Sequence, residues 1–245
     1  MSEWFTKIAA DFTQTFIEGD RWQSLLESLG TTLLITLLAL VVGAVLGVIV
    51  AAVRSSHDQL KAQHKSNIVL DVFNGICEIY LTIIRGTPVM VQLLIMYFVI
   101  MASSTNTILV ATISFGINSG AYLAEVMRSG IMAIDKGQSE AGRSLGLSYL
   151  QTMRFIVLPQ AVKNILPALG NELIALLKET SIMNVIGMKD ITKWALNVQG
   201  VTYQAFMPLI GIALIYLVIV LILTRLVSMM ERRLANESGK RHRNK

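Results

Sequence analysis

Residues 28–53 form a run of 26 positions without one charged side chain. About 20 apolar residues in helical form cross the hydrocarbon core of a bilayer. In that core every backbone N–H and C=O must find a partner within the protein, which leaves a helix or a closed barrel. An unbroken apolar run fits the helix, because barrel strands alternate in polarity. Composition agrees with a bilayer as the main solvent. Of the 245 residues 53% are hydrophobic and 15% charged, with a mean hydropathy of +0.60. Ordinary soluble domains carry about 25% charge.

Four more stretches read as spans: 72–101, 108–127, 164–187 and 204–228. The second is long, carries Glu78 and Arg85, and is interrupted by Gly86 and Pro88. The expectation is an all-α membrane protein with five transmembrane helices. Five spans put the termini on opposite sides, and Lys and Arg counts orient them. Segments 54–71 and 128–163, with the tail from Arg225, hold 15 Lys and Arg; the opposite side holds Lys7, Arg21, Lys189 and Lys193. That places the N-terminus outside and the C-terminus in the cytoplasm. The net charge of +5 is then mainly a topology signal, and no nucleic-acid partner is expected.

The expected organisation is an extracytoplasmic or interfacial segment over 1–27, a membrane domain over 28–230 and a basic cytoplasmic tail over 231–245. The first 28 residues mix Glu3, Asp11, Glu18, Asp20 and Glu27 with aromatics, unlike the basic start and apolar centre of a signal peptide. They suit an interfacial helix anchored by Trp4, Phe5, Phe12, Phe16 and Trp22. The single cysteine, Cys77, excludes an internal disulfide, and the scattered His57, His64 and His242 offer no metal site.

Between the third and fourth spans lies SEAGRSLGLSYLQTMRFIVLPQA, residues 139–161. Its polarity suits a cytoplasmic position. A short helix is predicted over about 138–145 and stops at Gly146, since glycine enters the left-handed region freely. Ser148 and Gln151 fit a capping box that opens a second short helix, ending before Pro159. Ala141 and Leu145 share a face. Ala141, Gly142 and Gly146 keep the element slim, suited either to a groove in another protein or to an ordinary connection.

Ionisable groups inside a membrane are functional candidates by default. They are Glu78, Arg85, Glu172, Lys178 and Glu179. Arg85 sits at the Gly86/Pro88 interruption with Thr87 and Gln92 nearby, and transporters place substrate sites at such breaks. An arginine holds a carboxylate by two parallel bonds; the alternative is a structural pair with Glu78 or Glu172. The fourth span offers Asn171, Glu172, Glu179 and Thr180, and the third offers Asn118, Ser119 and Tyr122, with Glu125 and Arg128 as an ion pair or gate pair. Gly43/Gly47 and Gly116/Gly120 fit close helix contacts.

The 139–161 stretch resembles the EAA motif of ABC-transporter permeases: Glu140-Ala141-Gly142 is the triplet, Gly146 the glycine, and Ile156-Val157-Leu158-Pro159 the end. IIRGTPVMVQLLIMYF, SGAYLAEVMRSGI and LPALGNELIALLKETSIMNVIG are similar to the polar-amino-acid branch of that family. The resemblance covers about residues 28–230 and departs from the pattern at Gly142, usually alanine.

The resemblance implies a type I importer fold working as a pair of permeases, identical or related, in the bacterial cytoplasmic membrane. It implies a separate cytoplasmic ATPase that binds ATP and magnesium, an extracytoplasmic amino-acid-binding protein, and a polar amino acid as cargo. Glu140, Ala141, Gly142, Arg143, Leu145 and Gly146 would couple to the ATPase. The pathway candidates are Arg85, Thr87, Gln92, Asn118, Tyr122, Asn171, Glu172, Glu179 and Thr180. The chain lacks a Walker loop: Gly142 and Gly146 stand one residue too close and no lysine follows. No catalytic residue, cofactor or metal is expected in the chain itself.

Overall fold

In the computed structural model, residues 2–243 are described, with side chains for 3–234. The helices are α1 (Ser2–Phe12), α2 (Arg21–Ala62), α3 (Ile68–Gly86), α4 (Val89–Ile95), α5 (Thr107–Met132), α6 (Lys136–Ser144), α7 (Tyr149–Thr152), α8 (Leu158–Glu179), α9 (Ile191–Thr202) and α10 (Phe206–Arg243). Short π or 3-10 turns follow α1, α4, α7 and α8. No strand occurs among the described residues. The basic groups Lys240, Arg241, His242, Arg243 and Lys245 of the expected tail lie outside the described side chains.

The bundle is organised around α2 and α5. A Cβ built on Gly43 would stand 3.0 Å from Ser119 Cβ, and one on Gly47 2.9 Å from Leu123 Cβ. From α5, a Cβ on Gly116 would meet Val42 at 2.6 Å and one on Gly120 would meet Leu46 at 2.9 Å. The matching order shows the two helices running in the same direction with their backbones in near contact. Lipid is as apolar as leucine, so such helices gain from close packing more than from burial of apolar surface. Both glycine pairs expected to make close helix contacts therefore lie in one interface.

Helix α8 runs antiparallel to α5. Ala161 and Ile165 pack with Leu123 and Met127 at one end. Leu176 packs with Phe115, Ala111 and Leu93 at the other. Helix α9 closes that second end through Trp194, Ala195 and Val198 against Leu25 and Ile212. Its N-cap is Asp190, fully buried and accepting from the N–H groups of Thr192 and Lys193 at 3.1 and 3.0 Å. Burial pushes the Asp190 carboxyl above the ordinary aspartate range, while these donors pull it down.

Among the described residues, three helical stretches pass as spans by length and apolarity alone: the one ending at Ala62, Thr107–Met132 and Phe206–Leu234. The 72–101 segment is Ile68–Gly86 and Val89–Ile100, bent by 108° at the break, and counts as a fourth only as a bent pair. The stretch read as 164–187 begins earlier, at Leu158, and ends in a 3-10 turn; Lys163, Glu172, Lys178 and Glu179 reduce its apolarity.

The helix after Ser148 does not stop before Pro159. A π turn over Met153–Val157, in which Leu158 N–H reaches Met153 C=O, leads straight into α8. The wider turn suits a proline in the first turn of α8, where a missing N–H matters least. Phe16, read as an anchor, instead stacks on Trp194 with ring centroids 5.6 Å apart. Trp4, Phe5, Phe12 and Trp22 remain exposed.

Candidate functional site

Two constructions stand out, one at the helix break and one projecting beyond the bundle. At the break, Thr87 and Pro88 are extended and the last carbonyls of α3 lose their helical donors. Gln92 replaces them. Its Nε2 donates to Ile84 O at 2.7 Å, Thr87 O at 3.0 Å and Thr87 Oγ1 at 2.8 Å. Its Oε1 accepts from Nδ2 of buried Asn118 at 2.9 Å. Gln92 thus ties the broken helix to α5, and Thr87 Oγ1 closes a further bond to Ile83 O at 2.8 Å. Replacing Gln92 by leucine strands these carbonyls and the Asn118 amide. The variant is expected to lose about 1–3 kcal/mol, read as a lower thermal unfolding midpoint of the purified chain; an unchanged midpoint would remove Gln92 from the joint.

Arg85 pairs with neither Glu78 nor Glu172. Its Nη1 lies 3.6 Å from Glu125 Oε2, and its guanidinium sits 5.7 Å from the centroid of the Tyr122 ring. Glu78 is engaged by Arg54 at 3.6 Å and accepts from Asn74 Nδ2 at 3.0 Å. Glu125 also meets Arg128 at 2.8 Å and Arg54 at 3.9 Å, and Arg128 reaches Asp58 at 3.0 Å. The Glu125–Arg128 pair is therefore part of a network joining α2, α3 and α5. A cleft of about 460 Å³, lined by Arg54, Glu78, Thr82 and Arg85 among others, opens beside it. Sequence reasoning missed Arg54 and Asp58. Their signal was present, as opposite charges one helical turn apart directly after the uncharged run, but only the fold supplies their partners.

Deeper in the bundle, Ser119 Oγ donates to Glu172 Oε1 at 2.7 Å. The Glu172 carboxylate forms no ion pair among the described residues. Asn171 is exposed and Glu179 half-buried. Thr180 differs from its expected place along the pathway: it is fully buried, and its hydroxyl donates to Leu177 O at 2.8 Å. Among the described residues no His, Cys, Asp and Glu group could hold a metal.

The second construction is the α6–α7 hairpin. Asp135 opens α6 by accepting from Gly137 N–H at 2.7 Å. Leu147 N–H bonds Gly142 C=O at 3.1 Å, and Gly146 at φ +81° makes the left-handed turn that closes the helix. The Ser148/Gln151 capping box then forms with both of its bonds, at 2.8 and 3.3 Å. Gly142 points into the hairpin. A Cβ there would meet Ile156 Cδ1 and Thr152 Cγ2 at 2.9 Å. The departure from alanine in the triplet is thus a packing choice on the inner face. Glu140, Ala141 and Arg143 are exposed, and Leu145 and Leu150 are 81% and 75% exposed. Both leucines stand at the outer end of the hairpin, with no apolar neighbour covering them among the described residues.

An apolar helical bundle with a pinned break in one helix and a capped hairpin at one end defines a membrane transport subunit. Residues 70–236 match the family described as binding-protein-dependent transport system inner membrane component, and the chain belongs to that family. It is 44% identical over 165 residues to the arginine transport system permease protein ArtQ of Bacillus subtilis (strain 168), across 66% of this chain and 75% of that protein. To the glutamine transport system permease protein GlnP of Escherichia coli (strain K12) it is 35% identical over 167 residues, covering 66% and 76%. A crystal structure of an amino acid ABC transporter with histidines matches with a TM-score of 0.77 and 41% identity, over 86% of this chain and 94% of that one. The MetNI methionine ABC transporter in an inward-facing form shares the fold, with a TM-score of 0.71 at 18% identity over 90% and 99%.

Proposed function

We propose that this chain is the permease of an importer for polar amino acids, driven by a separate ATPase on its cytoplasmic side. The α6–α7 hairpin carries the reading. It ends in exposed Leu145 and Leu150, with Glu140 and Arg143 as charged edges. Gly142 lets its two arms close on Thr152 and Ile156, and a 3.5 Å bond from Gln160 Nε2 to Gln138 Oε1 ties it to α8. A rigid, externally apolar lever can transmit the closure of an ATPase pair into α5 and α8, which flank it in the chain. Permeases named for arginine and glutamine transport, at 44% and 35% identity, support the cargo class.

In this reading the N-terminus lies outside, residues 1–27 rest at the interface, 28–230 form the membrane domain and 231–245 are cytoplasmic. A second permease, identical or related, completes the pathway, and an extracytoplasmic binding protein delivers the amino acid. ATP and magnesium belong to the ATPase. Arg85 offers the cargo a guanidinium for its carboxylate, and Glu172 offers a carboxylate for its ammonium. Tyr122, Asn171 and Glu179 line the route between them, while Thr87, Gln92 and Asn118 hold the break in shape.

The test is uptake of labelled amino acids by the permease co-reconstituted with its ATPase and binding protein. Arg85→Ala is expected to raise the half-saturating cargo concentration about 10- to 100-fold, the worth of a charge-assisted bond. Glu172→Gln should act similarly. If substrate-independent ATPase activity changes while half-saturation holds, Arg85 is a coupling residue. Uptake driven by an ion gradient without ATPase or ATP overturns the reading.

A further inference from the structure

Arg54 on α2 and Arg85 on α3 converge from two helices. Both line the cleft of about 460 Å³, together with Glu78 and Thr82. Between them lies Oε2 of Glu125, 3.9 Å from Arg54 Nη1 and 3.6 Å from Arg85 Nη1. Charges attract at these distances, but a hydrogen bond needs about 2.7–3.2 Å. The close contact of Glu125 goes to Arg128, whose Nη2 donates to its Oε1 at 2.8 Å. Glu78 likewise stands 3.6 Å from Arg54 Nη2, while its Oε1 accepts from Asn74 Nδ2 at 3.0 Å. Arg54 Nε is buried without a partner. A guanidinium carries five N–H donors. Two guanidinium groups thus face one open cleft, and the carboxylates nearest to them stand beyond bonding distance.

The separation of the two groups selects an acceptor. Their distances to Glu125 Oε2 add to 7.5 Å, so Arg54 Nη1 and Arg85 Nη1 stand no farther apart than that. A carboxylate that accepts a charge-assisted bond of about 2.8 Å at each oxygen bridges nitrogens at such a distance. Glu78 on the same wall repels a multiply charged anion. It suits a ligand whose negative end is accompanied by a positive one. Thr82 adds a hydroxyl beside it. These features together fit the head of an α-amino acid.

We propose that Arg54 is a second cargo-binding residue, holding the α-carboxylate jointly with Arg85, and that Glu125 is the internal competitor for both. The inference rests on the reading that Arg85 meets the cargo. Glu125 Oε2 neutralises the two guanidinium groups at a distance that leaves their donors open. The cargo carboxylate takes those donors from the cleft side. Glu125 then stays with Arg128, which already holds its other oxygen. Arg54 thereby makes the site selective for a ligand with a carboxylate, and Glu125 sets how tightly that ligand is held.

The test is binding of tritiated L-arginine and tritiated L-glutamine, in parallel, to the permease–ATPase complex in bilayer nanodiscs without the binding protein. Arg54→Gln is expected to raise the dissociation constant of the bound amino acid about 10-fold or more, as for a lost charge-assisted bond. Arg54→Lys, which keeps the charge and loses the fork, should fall between. Agmatine and 4-aminobutanamide are the same two molecules without the carboxylate. Their inhibition constants should be the same in Arg54→Gln as in the unaltered complex. Glu125→Gln should act in the opposite sense and tighten binding, by up to about five-fold. A purely structural role would weaken binding in both variants. Unchanged binding in Arg54→Gln, with Arg85→Ala still weakening it, overturns the role of Arg54 and leaves the cargo reading standing. Equal loss of the carboxylate-free amines also overturns it, and weaker binding in Glu125→Gln overturns the competition. If neither amino acid binds the unaltered complex, or Arg85→Ala binds normally, the cargo reading fails and this inference with it.

Discussion

A Gly120→Leu chain is expected to reach the membrane and fail to pack there. The first added carbon would stand 2.9 Å from Leu46 Cβ, 2.9 Å from the Tyr80 hydroxyl and 3.4 Å from Gly43 O. None of these yields easily. Leu46 Cβ and Gly43 O belong to the adjoining helix, and Tyr80 is held by the bond its hydroxyl donates to Ile117 O at 2.6 Å. Overpacking by single methylenes costs about 1–3 kcal/mol, and a whole isobutyl group between two backbones costs more. The bilayer offers no hydrophobic drive to press α2 and α5 back together. The measurement is thermal unfolding and monodispersity of the purified chain, with Gly75→Leu as the comparison, since nothing lies within 4 Å of a Cβ at Gly75. Equal behaviour of the two variants would mean that α2 and α5 are not in contact at Gly120.

The second large effect is functional and leaves the fold intact. Gly146→Asp is expected to abolish uptake, and Glu140→Lys to do the same. Gly146 stands at φ +81° with open space around it. An aspartate there meets no clash and enters the left-handed turn less readily than glycine, and it sets a new negative charge beside Leu145 on the exposed end of the hairpin. Glu140→Lys inverts a charge on the exposed face of α6. Both variants should insert normally, co-purify poorly with the ATPase and show no cargo-stimulated hydrolysis. Full uptake in both would remove the hairpin from the path of coupling.

Much of this was legible in the residues. The uncharged run from 28 to 53 required a helix in lipid. Gly146, Ser148 and Gln151 spelled out the hairpin, because caps and left-handed glycines act within a few residues and depend on nothing distant. Gly86 and Pro88 announced the break for the same reason. Local rules failed where a partner was remote. In sequence terms Arg85 had Glu78 and Glu172 as candidate partners. It took Glu125, which lies 40 positions away and comes within reach because α3 crosses α5 at that level. Gln92 looked like a pathway residue, since a polar amide at a helix break has that chemistry; the carbonyls of Ile84 and Thr87 and the amide of Asn118 already fill most of its bonding capacity.

The amino-acid order alone therefore settled the medium, the helical class, the break and the shape of the projecting hairpin. Each follows from hydropathy over one helix length or from backbone preferences within a turn. The pairing of charges, the inward face of Gly142, the burial of Thr180 and the meeting of both glycine motifs in one interface were set by the packing of α2, α3, α5 and α8. Those contacts join residues tens of positions apart, and which of several equally suitable partners a side chain takes is determined by where the helices cross.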